Sequence, residues 1–329
     1  MTTDSLDHVT VTLADGNVDR AFAKTIHPAS ASPLFEFIPP EHHAIVLEQL
    51  NWLDEPRVYG CGLESDMPEG IRLPKLLAID RACDDRLVLW LEEVDDEGGP
   101  WNLERYRRSA RALGRMTGRW PEARVERNLG LGRRSLHYLF YGKMMNVDLP
   151  LLADDATWDD PAVREVTAAD PKLREDLAWL AGAAPALLDR AEALPHGLAH
   201  GDASPTNLHE PGDGTVVAFD WSYGSLGPVG SDLGQLLAGR FDSGVAEPDD
   251  LPAIAETILD AFSGGLADEG YPAPSEEVRL AWATHLAVRS AFSAILVDRP
   301  GLGEADRADL IRRLAPLARY AVDLARSVS

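Results

Sequence analysis

His200-Gly201-Asp202-Ala203-Ser204-Pro205-Thr206-Asn207 is followed by Val217-Ala218-Phe219-Asp220-Trp221 and then by Gly227-Pro228-Val229-Gly230-Ser231-Asp232. The reading of the chain turns on this stretch. A carboxylate, an amide shortly after it and a second carboxylate closing an apolar strand match what transfer of a phosphoryl group requires. One carboxylate must accept or orient the proton of an attacking hydroxyl, while an amide and another carboxylate hold the magnesium ions that neutralise a triphosphate. His-Gly-Asp by itself would mark only a turn, since Gly and Asp both suit bends. Three elements in this order, the last a Gly-Pro-x-Gly-x-Asp that opens a helix, say more than a turn does.

The run His200-Gly201-Asp202-x-x-x-x-Asn207 with Phe219-Asp220-Trp221 resembles the aminoglycoside phosphotransferase-like kinases, a small-molecule branch of the protein-kinase fold. Protein kinases carry His-Arg-Asp-x-x-x-x-Asn and Asp-Phe-Gly on the same spacing logic. The resemblance implies Asp202 as catalytic base, Asn207 and Asp220 as Mg2+ ligands, and ATP as donor. It also implies that Asp232 braces the catalytic loop through backbone N–H groups. His200 is expected to support the loop by hydrogen bonding. Ser204 and Thr206 have no neighbouring His-plus-acid arrangement to activate them as nucleophiles.

The chain has 329 residues, 45% hydrophobic and 26% charged, which is ordinary for a soluble globular protein with room for two lobes. No apolar run is long enough to span a bilayer. Met1 to Asp7 lack a basic region followed by an apolar stretch, so no signal peptide is expected and the cytoplasm is the expected compartment. Cys61 and Cys83 are the only cysteines and lack metal-ligand spacing, so they read as ordinary reduced residues. A net charge of −23 argues against nucleic acid as a partner. It is compatible with a cationic small-molecule acceptor, although scattered Asp and Glu also serve solubility alone. Oligomeric state is not readable.

The front of the chain alternates. Val9–Leu13 and Ala21–Ile26 read as strands, with Asp15-Gly16-Asn17 as a turn signal between them. Lys75–Ile79 and Arg86–Leu91 form a second pair around Cys83-Asp84-Asp85, and a helix is expected within 41–63. After Gly98-Gly99-Pro100 the spacing of Leu103, Tyr106, Ala110, Leu113 and Met116 is helical up to Gly118. Further helices are expected at 172–192, 232–240, 251–264, 276–297 and 304–327, while 128–170 gives no clear period. The expected class is α+β, a two-lobed protein-kinase-like fold. Residues 1–94 would form a small antiparallel-sheet nucleotide lobe, and 95–329 a larger, mainly helical lobe with the catalytic loop and substrate site.

Lys24 is the only lysine before residue 75 and sits on an apolar strand. Kinases need such a lysine at the α- and β-phosphates, paired with a helical glutamate. Trp52-x-x-Glu55-x-x-x-Tyr59-x-x-Gly62-Leu63 resembles a pattern in one branch of the family and offers Glu55 as partner. Pro56 departs from it, costing its helix about 3 kcal/mol unless it falls in the first turn, and Glu48 stays open as the alternative. Trp90-Leu91-Glu92-Glu93-Val94 resembles the hinge that offers backbone groups to adenine, with Glu92 and Val94 as nucleotide-binding positions. Only 23 residues precede Lys24 and no Gly-x-Gly-x-x-Gly occurs, so either the nucleotide lobe is abbreviated or its first strand is supplied unusually.

The expected reaction moves the γ-phosphate of ATP to a hydroxyl of a small molecule, an aminoglycoside or another hydroxylated compound. A nucleotide-binding pseudokinase and a nucleotidyl transferase are the competing classes. Turnover abolished by Asp202→Ala separates the first, and ADP rather than pyrophosphate as product separates the second. Trp158, Asp159, Asp160, Trp282, His285 and Arg289 are candidate acceptor-lining residues, each with an equally good packing role.

Overall fold

The computed structural model describes residues 2–12, 18–271, 273–297 and 301–329. Five described strands precede residue 95: β1 (Thr3–Thr12), β2 (Val18–Ile26), β3 (Ile71–Arg72), β4 (Leu76–Cys83) and β5 (Arg86–Glu92). Four of them make an antiparallel sheet in the order β1-β2-β5-β4. Leu87, Leu89 and Leu91 alternate inward along β5, as a half-buried strand demands. Lys24 stands opposite Leu89 in the register. Directly paired residues share a face, so Lys24 points to the buried side.

One described strand precedes the lysine strand. The front of the chain is thus a four-stranded sheet whose second strand carries Lys24. The Asp15-Gly16-Asn17 turn lies outside the described residues.

Two helices occupy the expected 41–63 window, α1 (His43–Gln49) and α2 (Asp54–Gly60). Pro56 is the third residue of α2, inside the first turn. Its missing N–H would have had no intrahelical partner there, so the penalty feared from the sequence does not arise.

The rest is mainly helical: α3 (Leu103–Arg119), α4 (Glu122–Asn128), α5 (His137–Leu139), α6 (Leu149–Ala153), α7 (Asp155–Asp159), α8 (Pro161–Ala169), α9 (Leu173–Glu192), α10 (Asp232–Asp242), α11 (Leu251–Asp268), α12 (Ser275–Arg289) and α13 (Glu304–Val328). A π-helical stretch, Phe140–Asp148, joins α5 to α6. The unclear 128–170 region is therefore a chain of short helices, too brief for a period to establish itself. The helix expected at 276–297 ends at Arg289. Ala291, Phe292, Ala294 and Ile295 beyond it are buried in a separate short turn, so the apolar content continues while the helix does not. No helix among the described residues is long and apolar enough to cross a membrane.

Four short strands are set among these helices: β6 (His196–Ala199), β7 (Leu208–His209), β8 (Val216–Ala218) and β9 (Ser225–Pro228). β6 pairs with β9, and β7 with β8. β3 adds to β8 in parallel and ties the front half of the chain to the back.

Helices α3 and α11 approach each other through two glycines. A Cβ on Gly114 would lie 2.2 Å from the Phe262 carbonyl oxygen, and one on Gly265 would lie 2.2 Å from that of Arg111. Elsewhere in a helix, Gly→Ala gains roughly 0.5–1 kcal/mol. Here the clash is with backbone that cannot rotate away, so the sign reverses. Gly114→Ala and Gly265→Ala are each expected to lose about 1–3 kcal/mol of stability, the usual range for overpacking. Thermal or urea denaturation read by circular dichroism checks this; a raised midpoint would contradict it.

Candidate active site

The loop from His200 to Asn207 leaves β6 and enters β7, and Asp220 follows β8, so two small ribbons hold Asp202, Asn207 and Asp220. Gly201 has φ +77°, and a Cβ there would lie 2.3 Å from the Tyr223 carbonyl oxygen. Only glycine satisfies both the backbone and the space.

Asp232, at the start of α10, accepts hydrogen bonds from the backbone N–H groups of His200 (2.9 Å) and Gly201 (2.8 Å). Its burial raises its pKa against the pull of His200 and of those two N–H donors. His200 bridges the loop from within. Its Nε2 lies 2.6 Å from the Phe219 carbonyl oxygen, and its Nδ1 accepts from the Asp202 N–H at 3.3 Å. These partners assign the proton to Nε2. The imidazole also packs on Trp221.

Asp202 is held at both oxygens. Asn207 Nδ2 donates to its carbonyl (2.9 Å) and to Oδ2 (3.2 Å), while Gln235 Nε2 and Arg289 Nη2 (3.2 Å) donate to Oδ1. Gln235 did not figure among the residues expected from sequence. It lies one turn along α10 from Asp232, so the same helix face that braces the loop also reaches the carboxylate. That spacing was the available signal.

Asp220 has φ +56°, the only described non-glycine residue in the left-handed region. Asp tolerates this conformation better than most residues, and such outliers gather at functional sites. Its Oδ1 accepts from Lys24 Nζ at 2.6 Å. The same ammonium reaches Glu55 Oε2 at 2.8 Å and Oε1 at 3.0 Å. Glu55 and Tyr59 face inward from α2, whereas Glu48 is exposed on α1. Of the two glutamates left open, the one in contact with Lys24 is Glu55.

Lys24 and Glu55 are 2% and 1% exposed. Burial works against the Lys24 charge, yet the Glu55 and Asp220 carboxylates overcome it and hold the ammonium above its ordinary pKa. For Asp220 burial is again outweighed, by Lys24, and its carboxyl sits below the usual range. For Glu55 burial wins, pushing it up to about 7 against the pull of Lys24.

At the expected hinge, the Glu92 carboxylate is engaged by Arg72 (2.7 Å) and by the Lys75 N–H (3.1 Å). The Val94 carbonyl accepts from His209 Nδ1 at 3.2 Å. The Val94 N–H has no hydrogen-bond partner among the described residues.

Most of the candidate acceptor-lining residues lie elsewhere. Trp158 is buried, with its indole N–H donating to the Leu152 carbonyl. Asp159 pairs with Arg164, and Asp160 caps α8 and binds Arg307. Trp282 is wholly buried. The polar heads of Trp158, Asp159 and Asp160 are spent on helix ends and neighbouring arginines, and the helical spacing of Trp282 and His285 reflects packing. His285 is buried against Gly234, and burial lowers its pKa to about 3, so it stays neutral. Arg289 alone reaches the motif, through Asp202.

A model of the phosphotransferase enzyme family APH matches residues 17–274. An aminoglycoside phosphotransferase from Alicyclobacillus acidocaldarius superposes with TM-score 0.60 at 15% identity, covering 100% of this chain and 92% of its own. A microcompartment-associated aminopropanol kinase gives 0.56 at 15% identity, covering 99% and 94%. An amicoumacin kinase solved with AMP-PNP and Ca2+ gives 0.50 at 14%, covering 98% and 87%. At these identities the likeness is one of fold. No curated protein sequence matches the chain.

The elevated Glu55 pKa has a testable consequence. As pH falls through about 7, Glu55 takes up a proton and loses its hold on Lys24. Affinity for Mg-ATP is expected to weaken from pH 8 to pH 6 in the wild type. Glu55→Gln, uncharged throughout, should bind about tenfold more weakly at pH 8, or about 1.4 kcal/mol, with a flat profile. Isothermal titration at several pH values checks this; an unchanged slope in the variant would assign the pH dependence to another group.

Proposed function

This chain belongs to the APH phosphotransferase enzyme family and is a small-molecule kinase acting on a hydroxyl group; from that premise we propose that it carries the γ-phosphate of ATP to its acceptor with Asp202 as base. The observation that carries the assignment is the fixing of the Asp202 carboxylate from three directions, by Asn207, Gln235 and Arg289. Such a carboxylate is positioned to receive a hydroxyl and orient its lone pair, and positioning supplies most of the rate in phosphoryl transfer.

The donor set fits Mg2+. This ion is usually bound by one or two carboxylates together with substrate phosphates. No cluster of three or more His, Cys, Asp or Glu side chains able to hold a metal occurs among the described residues. Asp220, with Asn207 beside it, is what such a mode needs: the Asn207 amide nitrogen is spent on Asp202, which leaves its oxygen for an ion. Mg2+ held there would supply charge neutralisation of the triphosphate.

The chain's own groups do the rest. Lys24, fixed by Glu55, offers its ammonium to the α- and β-phosphates. The Val94 N–H is the donor available to an adenine edge along 92–94. Asp202 orients the acceptor hydroxyl and takes its proton as the new O–P bond forms. The bond from the γ-phosphorus to the bridging oxygen breaks, and that oxygen leaves on ADP. His200 and Asp232 keep the loop in place and exchange no proton. A division into lobes at residues 94 and 95 and a cytoplasmic setting belong to the same proposal.

Asp202→Ala is expected to lower kcat about 10²–10⁴-fold while leaving the affinity for Mg-ATP within a factor of about three. Asp220→Ala should abolish Mg2+-dependent nucleotide binding. An ADP-release assay with calorimetry reads both, and wild-type turnover in Asp202→Ala would refute the base assignment.

A further inference from the structure

Beside the motif lies a cavity of about 550 Å³, between α1 with the residues just before it and the π-helical stretch Phe140–Asp148. Its volume is in the range of small-molecule sites. We propose that this cavity receives the acceptor, and that it selects a hydroxyl compound with an uncharged, largely apolar body over a polycationic aminosugar. The inference rests on the phosphotransferase reading above and narrows its substrate class.

The cavity is continuous with the loop that carries Asp202. Tyr223 lines the cavity and presses its backbone against Gly201, the residue before Asp202. Tyr138, also lining, stacks on Tyr223 with ring centroids 6.2 Å apart. The charges of Asp202 and Arg289 act on both phenols. A molecule seated against these two rings lies next to the base.

The cavity walls are largely apolar. Ile38, Val46 and Leu50 face Leu139 and Val147 across the space. Among the described residues no carboxylate lines it. The one lysine that does, Lys143, is neutralised by both oxygens of the buried Asp148, at 2.7 and 2.9 Å. Outside the lining, the Arg134 guanidinium lies 5.0 Å from the Tyr223 ring and 6.0 Å from that of Tyr138, and Arg289 sits on Asp202. A multiply charged ammonium compound would lose its hydration in the cavity and meet no carboxylate among the lining residues, only neutral acceptors such as the Gln49 amide. The net charge of −23 is spread elsewhere on the molecule; the expectation of a cationic acceptor drawn from it does not carry over to this cavity.

Gly142 supplies the test. It lines the cavity, and a Cβ on it would meet nothing within 4 Å. Gly142→Phe should therefore fold and fill the space, while Gly142→Ala should leave it open. The full chain would be assayed for Mg-ATP binding, for ADP release, and for binding of 2-(1-naphthyl)ethanol by fluorescence. 3-Phenyl-1-propanol, 1-amino-2-propanol and kanamycin would complete the panel. Expected are naphthylethanol binding, ADP release stimulated more by the aryl alcohols than by kanamycin, and a loss of at least tenfold in both for Gly142→Phe alone. Mg-ATP affinity should be the same in all three proteins. Stimulation by kanamycin without response to the aryl alcohols would overturn the inference, as would naphthylethanol binding indifferent to Gly142→Phe, or its absence from a protein that binds Mg-ATP. Failure to bind Mg-ATP at all would instead count against the phosphotransferase reading.

Discussion

A buried ammonium cannot be left without partners, and Lys24 finds its two on separate elements. Glu55 comes from α2, and Asp220 follows β8 almost two hundred residues away in sequence. The ion cluster thus fixes the sheet, the helix beneath it and the end of the catalytic ribbon relative to one another. Desolvation makes such clusters poor contributors to net stability, yet removing one partner is costly because it strands the other charge. The sequence must supply all three residues or none. That is why a lone lysine on an apolar strand, a glutamate behind a tolerated proline and a strained aspartate occur in one chain.

A second junction holds the strand that leaves the sheet. Arg105, 1% exposed on α3, binds Asp96 at 2.7 Å and the Leu208 carbonyl at 3.1 Å. Asp96 also accepts from the Glu210 N–H, and the Glu97 N–H donates to the Glu210 carbonyl. The chain beyond Val94 is therefore fastened to the residues just past Asn207. The 92–94 segment and the loop ending at Asn207 share a frame with few soft links between them, which suits the proposed reaction, one governed by positioning.

The loop, its bracing acid and the apolar strand before Asp220 were legible because each has a local signature: turn residues at fixed offsets, a helix-opening acid and an unbroken Val-Ala-Phe run. Lys24 could be picked out because β-strand alternation and scarcity of lysine coincide. Glu55 could not be separated from Glu48 by spacing, since what decides is where Pro56 falls in its helix. Arg289 appeared as a generic helix-face residue. Its contact with Asp202 depends on how α12 lies against the loop, and no periodicity encodes that. Tyr138 and Tyr223 were likewise hidden, because they become a wall only when segments far apart in sequence pack together. The short helices between residues 128 and 170 lack enough turns to show a period.

The π-helical stretch has an evolutionary corollary. A π-helix carries one more residue per hydrogen-bonded loop than an α-helix, so deleting a residue restores the ordinary register and rotates the following side chains by about 100°. Phe140–Asp148 is one wall of the space beside Asp202, whereas Asp202, Asp220 and the bracing Asp232 hang from β6, β8 and α10. A single-codon loss there would re-face the wall without moving the chemistry. In the proposed acceptor site, a one-residue deletion would thus change what the wall presents to an acceptor.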